Sequence, residues 1–430
     1  MDRELKRSFI ASCKPDEPVG PQDPRHYDFD TPSLRLRGEP WRERLSAVID
    51  FAAEPTAQLV TGLRGSGKTT ELRQLERDLT ERGYRVVMAD AGQWLSNERP
   101  LTTEDLMLAL VLALFPDGKP EDVGGWVDEY AKQAWRFLNS KVELQGGIAA
   151  VKASLTTDET LFQRVAKQLR DLDGLREDIH ELLASAAKGS RDQGQELVII
   201  LDGAEKRATG DLDASARREE FHNHWFASFI LQARDLKPPV HTIYTVPPFM
   251  VRRASELTAN FGVELQFLPM VRLYERDGVL NLPGVEAMVE ALHRRVAAKH
   301  FADPAIPRWL VSRCGGYFRD LLRFLTEMTY RVGEAPRFTR EHAEQAVAHV
   351  QQNYLQALVL EDKQLLRQLH PSRKFPDDEA SQVRMDSLLQ GFKMFRYHNG
   401  GPWYDAHPLS WAELGFADDL PDWSRFEGTG

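Results

Sequence analysis

Cysteine is scarce in this chain: Cys13 and Cys314 are the two among 430 residues. Thiols that far apart exclude a disulfide framework and a cysteine-built metal cluster supplied by one chain, and they fit a reducing cytoplasm. Long apolar runs are missing as well. Leu106–Phe115 is among the longest, well short of the roughly 20 residues of a membrane span. The first thirteen residues carry Asp2, Arg3, Glu4, Lys6 and Arg7, which interrupt the apolar core that a secretory signal needs. Basic charge is not in excess: 55 Lys+Arg stand against 65 Asp+Glu, a net charge of −10. The chain therefore has no general attraction to nucleic acid or to anionic membranes. No repeat of 20 to 50 residues is present, which removes solenoids and propellers. With 42% hydrophobic and 28% charged residues, a soluble, cytoplasmic protein of two or three domains is expected.

Pro15, Pro18, Pro21, Pro24 and Pro32 lie among many charges, and residues 1–35 read as an extended, proline-rich arm. Trp41–Phe51 has helical periodicity, with Leu45, Val48 and Ile49 on one face. Strands are expected at Gln58–Val60, Tyr84–Met88, Glu196–Asp202, His241–Val246 and Val263–Leu268, with helical stretches between them. That alternation predicts an α/β fold with a parallel sheet covered by helices. A helical insertion occupies about residues 100–190, with a β-like stretch at Val142–Leu155 around Gly146-Gly147. The sheet domain then spans 36–282. Continuous helical periodicity predicts a separate helical subdomain over 283–353. Residues 354–430 read as two helices followed by a hairpin turning at Asn399-Gly400-Gly401-Pro402, the outline of a winged helix.

Between the first strand and the next helix lies Gly62-Leu63-Arg64-Gly65-Ser66-Gly67-Lys68-Thr69-Thr70. This is the P-loop pattern. Glycines at 62, 65 and 67 let backbone N–H groups wrap phosphates, Lys68 reaches the outer phosphates, and the Thr69 hydroxyl can hold Mg²⁺. Arg64, Ser66 and Thr70 complete the binding loop, and the helix opening at Lys68 adds its N-terminal dipole. Hydrolysis needs a second acidic strand. Asp202 ends the strongest strand, so its carboxylate emerges at the sheet's carboxyl edge, where it can serve Mg²⁺.

Asp202-Gly203-Ala204-Glu205 resembles the Walker B segment of NACHT-like members of the STAND class of signalling ATPases, within the AAA+ group. The resemblance implies a metal-linked Asp202 and a catalytic base that is Glu205 or absent. Many other AAA+ proteins place Glu directly after that Asp, where Gly203 stands here. Thr242-Ile243-Tyr244-Thr245-Val246-Pro247 is similar to the sensor 1 strand, which implies that Thr245 bonds the γ-phosphate or its water. Cys314-Gly315-Gly316-Tyr317-Phe318-Arg319-Asp320-Leu321 resembles the sensor 2 helix of origin-recognition and STAND ATPases, which would make residues 283–353 a helical lid and bring Arg319 over the phosphates from it. Leu36-Arg37-Gly38 is similar to a short motif that packs by the adenine in both groups. Ala406-His407-Pro408-Leu409 is similar to the MHD-type motif, whose histidine touches the ADP phosphate; the other reading of His407 is a structural histidine packed under Trp403 and Trp411. Proline stands in place of the motif's acid. No arginine finger is assigned among Arg217, Arg218, Arg252, Arg253 and Arg272.

The winged-helix outline also admits DNA contacts from Arg373, Lys374, Arg384, Lys393 and Arg396. Charge disfavours that reading. Glu361–Gly430 carries eight Lys+Arg against twelve Asp+Glu, whereas a DNA reader needs a basic footprint. The resemblance implies a switch that binds ATP or ADP with Mg²⁺, hydrolyses ATP, and belongs to the bacterial phage-defence or conflict-type ATPases. It would act with a separately encoded effector or sensor protein, and a nucleotide-dependent homo-oligomer would fit. Two other readings are a DNA-associated AAA+ ATPase of the replication or transposition loader type and a nucleotide-holding scaffold without turnover.

Overall fold

The structure is a computed structural model that describes residues 1–31, 33–95, 100–114, 174–207 and 215–427. The β-like stretch expected at Val142–Leu155, and with it most of the insertion, lies outside the described residues. In chain order the first elements are α1 (Arg3–Ser12), α2 (Trp41–Asp50), β1 (Ala57–Gly62), α3 (Lys68–Glu81), β2 (Arg85–Asp90) and α4 (Thr103–Ala113). Then come α5 (Leu175–Asp192), β3 (Leu197–Asp202), α6 (Ser215–Phe226), β4 (His241–Thr245), α7 (Ala254–Phe261) and β5 (Gln266–Leu268). Helices α8 (Leu282–His293), α9 (Ala305–Cys314), α10 (Phe318–Arg331) and α11 (Arg340–Gln356) follow. The chain closes with α12 (Leu360–Ser372), α13 (Glu379–Gln390), β6 (Met394–His398), β7 (Pro402–Ala406) and α14 (Pro408–Leu414). Among the described residues no helix is long and apolar enough to cross a membrane.

Two compact units emerge. One comprises Arg42–Thr61 and Glu71–Phe267; the other comprises Met1–Trp41, Gly62–Thr70 and Leu268–Gly430. This grouping differs from the four consecutive segments expected from the sequence, because residues 62–70 join the arm, the lid helices and the C-terminal segment.

The first of these units is built on a five-stranded sheet of order β2-β3-β4-β1-β5. The pairs β2–β3, β3–β4 and β4–β1 are all parallel. Every residue of β3 and β4 is buried, as continuous apolar runs require when helices cover both faces. The edge strand β2 is half-buried throughout. Helix α4 starts at a capping box in which the Thr102 hydroxyl and the Asp105 carboxylate satisfy each other's backbone N–H groups. Its Leu106, Leu108, Leu110 and Leu112 are buried in the core, each stabilising the fold by about 1.5–3 kcal/mol. The register sets Asp90 opposite Asp202 and Leu201 opposite Tyr244. Asp90, Asp202 and Thr245 therefore leave the sheet side by side at its carboxyl edge.

In the other unit the arm is not extended throughout. Residues 3–12 form α1, capped by the Asp2 carboxylate on Leu5 N–H, because Phe9 has an aromatic seat: its ring lies 5.0 Å from His300 and 5.9 Å from Phe338. Beyond α1 the chain runs through turns held by Arg25 ion-paired with Asp23 and Glu17, and by Arg295 donating to Ser12 O at 2.7 Å. The C-terminal segment has the expected two helices and antiparallel hairpin, with Met394 opposite Ala406. Tyr397 and Trp403 stack at 4.4 Å, and Trp411 Nε1 donates to Ala406 O at 2.8 Å. These aromatic rings are the hairpin's core.

Candidate functional site

The phosphate loop connects β1 to α3. Lys68 is buried, and its ammonium donates to the carbonyls of Gly62 at 2.8 Å and Leu63 at 3.2 Å. The amine therefore lies over its own loop. Buried Ser66 Oγ has no hydrogen-bond partner among the described residues. Gly65 has φ +78°, and a Cβ there would lie 2.7 Å from Arg319 Nε and 2.9 Å from the Tyr317 hydroxyl, so no side chain fits. Thr69 and Thr70 occupy the first turn of α3, whose leading N–H groups have no intrahelical acceptor. A buried hydroxyl to satisfy, an ammonium, a side-chain-free cradle and a helix N-terminus together fit a phosphate-bearing ligand.

Two side chains of the same unit bond this loop and a third lies against it. Arg37 is buried and donates from Nη2 to Ser66 O at 3.2 Å; it also pairs with Asp30 at 3.4 Å and lies over the Phe29 ring. Neighbouring Gly38 has φ +91° and packs against His398, where a Cβ would approach Nδ1 to 2.7 Å. Tyr317 donates its hydroxyl to Arg64 O at 2.9 Å and stacks on Phe392 at 5.3 Å. Burial pushes the Tyr317 phenol well above its ordinary value, so it stays a donor. Arg319, in the first turn of α10, pairs with Asp16 of the arm at 2.5 Å. Arg37 and Arg319 thus both lie against the loop within this unit. Asp30, Tyr317 and Asp16 were missed, and the one available signal was Tyr317's place between Gly316 and Arg319.

The other unit holds the acidic edge. Asp202 ends β3 and Glu205 lies in the short 3₁₀ turn Ala204–Arg207; both are buried. Lys206 donates to Asp90 Oδ2 at 3.2 Å. Burial pulls the Lys206 ammonium down, but the charges of Asp202, Asp90 and Glu205 outweigh it and hold its pKa above the ordinary value. Thr245, fully buried at the end of β4, donates its hydroxyl to Leu201 O at 3.4 Å. Strand β4 lies between β1 and β3, so Thr245 stands beside the strand that leads into the loop.

Phosphate contact by His407 is not what this geometry shows. The ring is fully buried, Nε2 meets Asp320 Oδ2 at 2.8 Å, and Nδ1 accepts Leu409 N–H at 3.1 Å. Both nitrogens are spent on protein, and the residue caps α14. The basic residues considered for DNA are also largely engaged. Arg373 pairs with Asp405, Arg384 and Lys393 pair with Asp362, and Arg396 lies 5.9 Å over the Tyr404 ring.

Residues 39–209 match the model of the KAP family P-loop domain. The matched stretch contains both the loop 62–70 and Asp202. No curated protein matches this chain. Among solved structures, the Walker-type ATPase of Pyrococcus abyssi is 15% identical with a TM-score of 0.47, over 94% of this chain and 99% of that one. Cdc6p from Pyrobaculum aerophilum is 12% identical with a TM-score of 0.40, over 95% and 97%. The Aeropyrum pernix ORC2 protein, described in ADPNP–ADP complexes, is 12% identical with a TM-score of 0.41, over 97% of each chain. The fold class rests on the sheet and the loop: this is an α/β P-loop NTPase fold with a parallel sheet covered by helices.

Proposed function

We propose that the chain is an ATP-binding and ATP-hydrolysing switch of the STAND-like signalling kind, working in phage defence or a similar conflict with separately encoded effector or sensor proteins. The observation that carries this reading is the grip on the loop: Tyr317 bonds Arg64 O and Arg37 bonds Ser66 O, so a nucleotide arriving on the loop acts directly on the element that opens the lid helices. Gly62, Gly65, Ser66, Gly67, Lys68 and Thr70 bind the phosphates, and Thr69 and Asp202 serve Mg²⁺. Glu205 orients the attacking water, while Thr245 and Arg319 respond to the γ-phosphate. Each assignment rests on the motif and on the residue's place within its own unit. His407 is a structural residue in this scheme.

Nucleotides shift such a switch only by binding its two states unequally; moving a 1:99 population to 99:1 takes about 5.5 kcal/mol of differential affinity. The test is the solution mass of the protein with ADP and with a slowly hydrolysed ATP analogue, run beside Lys68→Ala and a short DNA duplex. ATP-dependent assembly without DNA, lost in Lys68→Ala, supports the switch. Assembly that requires DNA supports the loader reading, and no response to either nucleotide removes both.

A further inference from the structure

Beyond Asp202 the chain turns through Gly203 at φ +80°, and a Cβ there would collide with Asp90 Oδ1. Asp90 therefore fills the space that any side chain at position 203 would need. Its carboxylate has two tasks: Oδ1 accepts Gly92 N–H at 3.0 Å, capping the 3₁₀ turn Ala91–Gln93, and Oδ2 accepts from Lys206 Nζ at 3.2 Å. The two turns also touch through backbone, since a Cβ on Gly92 would lie 2.9 Å from Gly203 O. Lys206 N–H closes its own turn on Gly203 O at 3.1 Å. Glu205 sits inside that turn, one residue before the anchored lysine, and is 8% exposed. Thus one carboxylate from β2 caps the first turn and tethers the second.

We propose that Asp90 is a positioning residue whose carboxylate, through Lys206, fixes the turn that aims Glu205, so that ATP turnover depends on Asp90 while nucleotide binding does not. The inference rests on the reading of Glu205 as the residue that orients water. Without the Asp90–Lys206 link the turn loses one constraint on its orientation about Gly203, and a carboxylate displaced by about 1 Å loses most of its effect on the reacting water.

The experiment measures Mg-ATP and ADP affinity and single-turnover hydrolysis in the full chain, for wild type, Asp90→Asn, Lys206→Met, the double variant and Lys206→Arg. Asparagine at 90 still accepts the Gly92 N–H and loses the charge that holds Lys206. Expected are turnover losses of about tenfold or more in each single variant with affinity within about twofold, a double variant no slower than either single one, and recovery in Lys206→Arg. Added to Glu205→Gln, Asp90→Asn should slow turnover no further. Unchanged turnover in Asp90→Asn, losses that multiply in the double variant, or affinity falling in step with rate would each overturn the inference alone. A wild-type chain that binds no nucleotide, or binds it and never hydrolyses it, overturns the ATPase reading and this inference with it.

Discussion

His407 Nε2 meets Asp320 Oδ2 at 2.8 Å with both side chains completely buried. The same carboxylate accepts from the Tyr354 hydroxyl at 2.7 Å and from Arg323 at 2.9 Å. Asp320 directly follows Arg319 in the first turn of α10, so the segment after the β6–β7 hairpin is bonded to the neighbour of the residue assigned to the γ-phosphate. This is a physical link between the C-terminal segment and α10, made of one polar cluster.

Removing one partner of that cluster leaves the others buried and unsatisfied. His407→Ala and Asp320→Asn are each expected to destabilise the protein by about 3 kcal/mol, and the double variant by clearly less than the sum. Chemical denaturation of the four proteins of the cycle measures the coupling; strict additivity would show that the pair acts independently.

Lys68→Ala deletes the ammonium that a phosphate would recruit from the Gly62 and Leu63 carbonyls. ADP and ATP affinity should fall by about ten- to a hundredfold with the melting temperature of the unliganded chain nearly unchanged. Titration calorimetry reads both, and an unaltered affinity would place the nucleotide elsewhere.

Arg37 holds Ser66 O through a planar fork while pairing with Asp30. Arg37→Lys keeps the charge but not the fork, and it is expected to weaken nucleotide binding by about tenfold, nearly as much as Arg37→Ala. If lysine fully restores binding, charge rather than geometry is what the loop takes from this residue.

Asp16 is well exposed and Arg319 mostly covered where they pair. An exposed partner makes the pair a weak contributor to stability, so Asp16→Ala should move the melting temperature by less than about 2 °C. It should nonetheless tighten ATP more than ADP, because Arg319 no longer exchanges one anion for another. Equal changes for the two nucleotides would remove Arg319 from the γ-phosphate.

His241 supplies a pH signature. Burial lowers its pKa against the opposing pull of Glu196, and Nδ1 faces the Thr56 N–H at 3.2 Å as an acceptor. A folded-state pKa below the unfolded value of about 6.5 gives stability that is present above that value and lost as pH falls through the folded pKa. Melting temperatures followed from pH 7.5 down to 5 should decline, and His241→Gln should flatten that decline.

The loop 62–70, the strand ending at Asp202 and the hairpin turning at Asn399-Gly400 were all legible in the sequence, because each is written in neighbouring residues. Apolar runs mark strands buried on both faces, and glycine marks backbone that a Cβ would obstruct. Helix α1 was not legible: its ten residues are too few to be stable alone, and they fold because Phe9 finds His300 and Phe338. The sequence left His407 open between a phosphate contact and a structural histidine, because its partner Asp320 lies 87 residues away and only packing brings the two together.

By itself the sequence determined that this chain has a parallel sheet, a phosphate-binding loop on its first strand and an acid at the end of its third, since periodicity and glycine stereochemistry act over a few residues. The tertiary structure decided which distant side chains meet: Arg37 with Ser66, Tyr317 with Arg64, Asp90 with Lys206. Those pairings depend on strand register and helix packing, which bring together residues 29, 253 and 116 positions apart, and no local pattern specifies them.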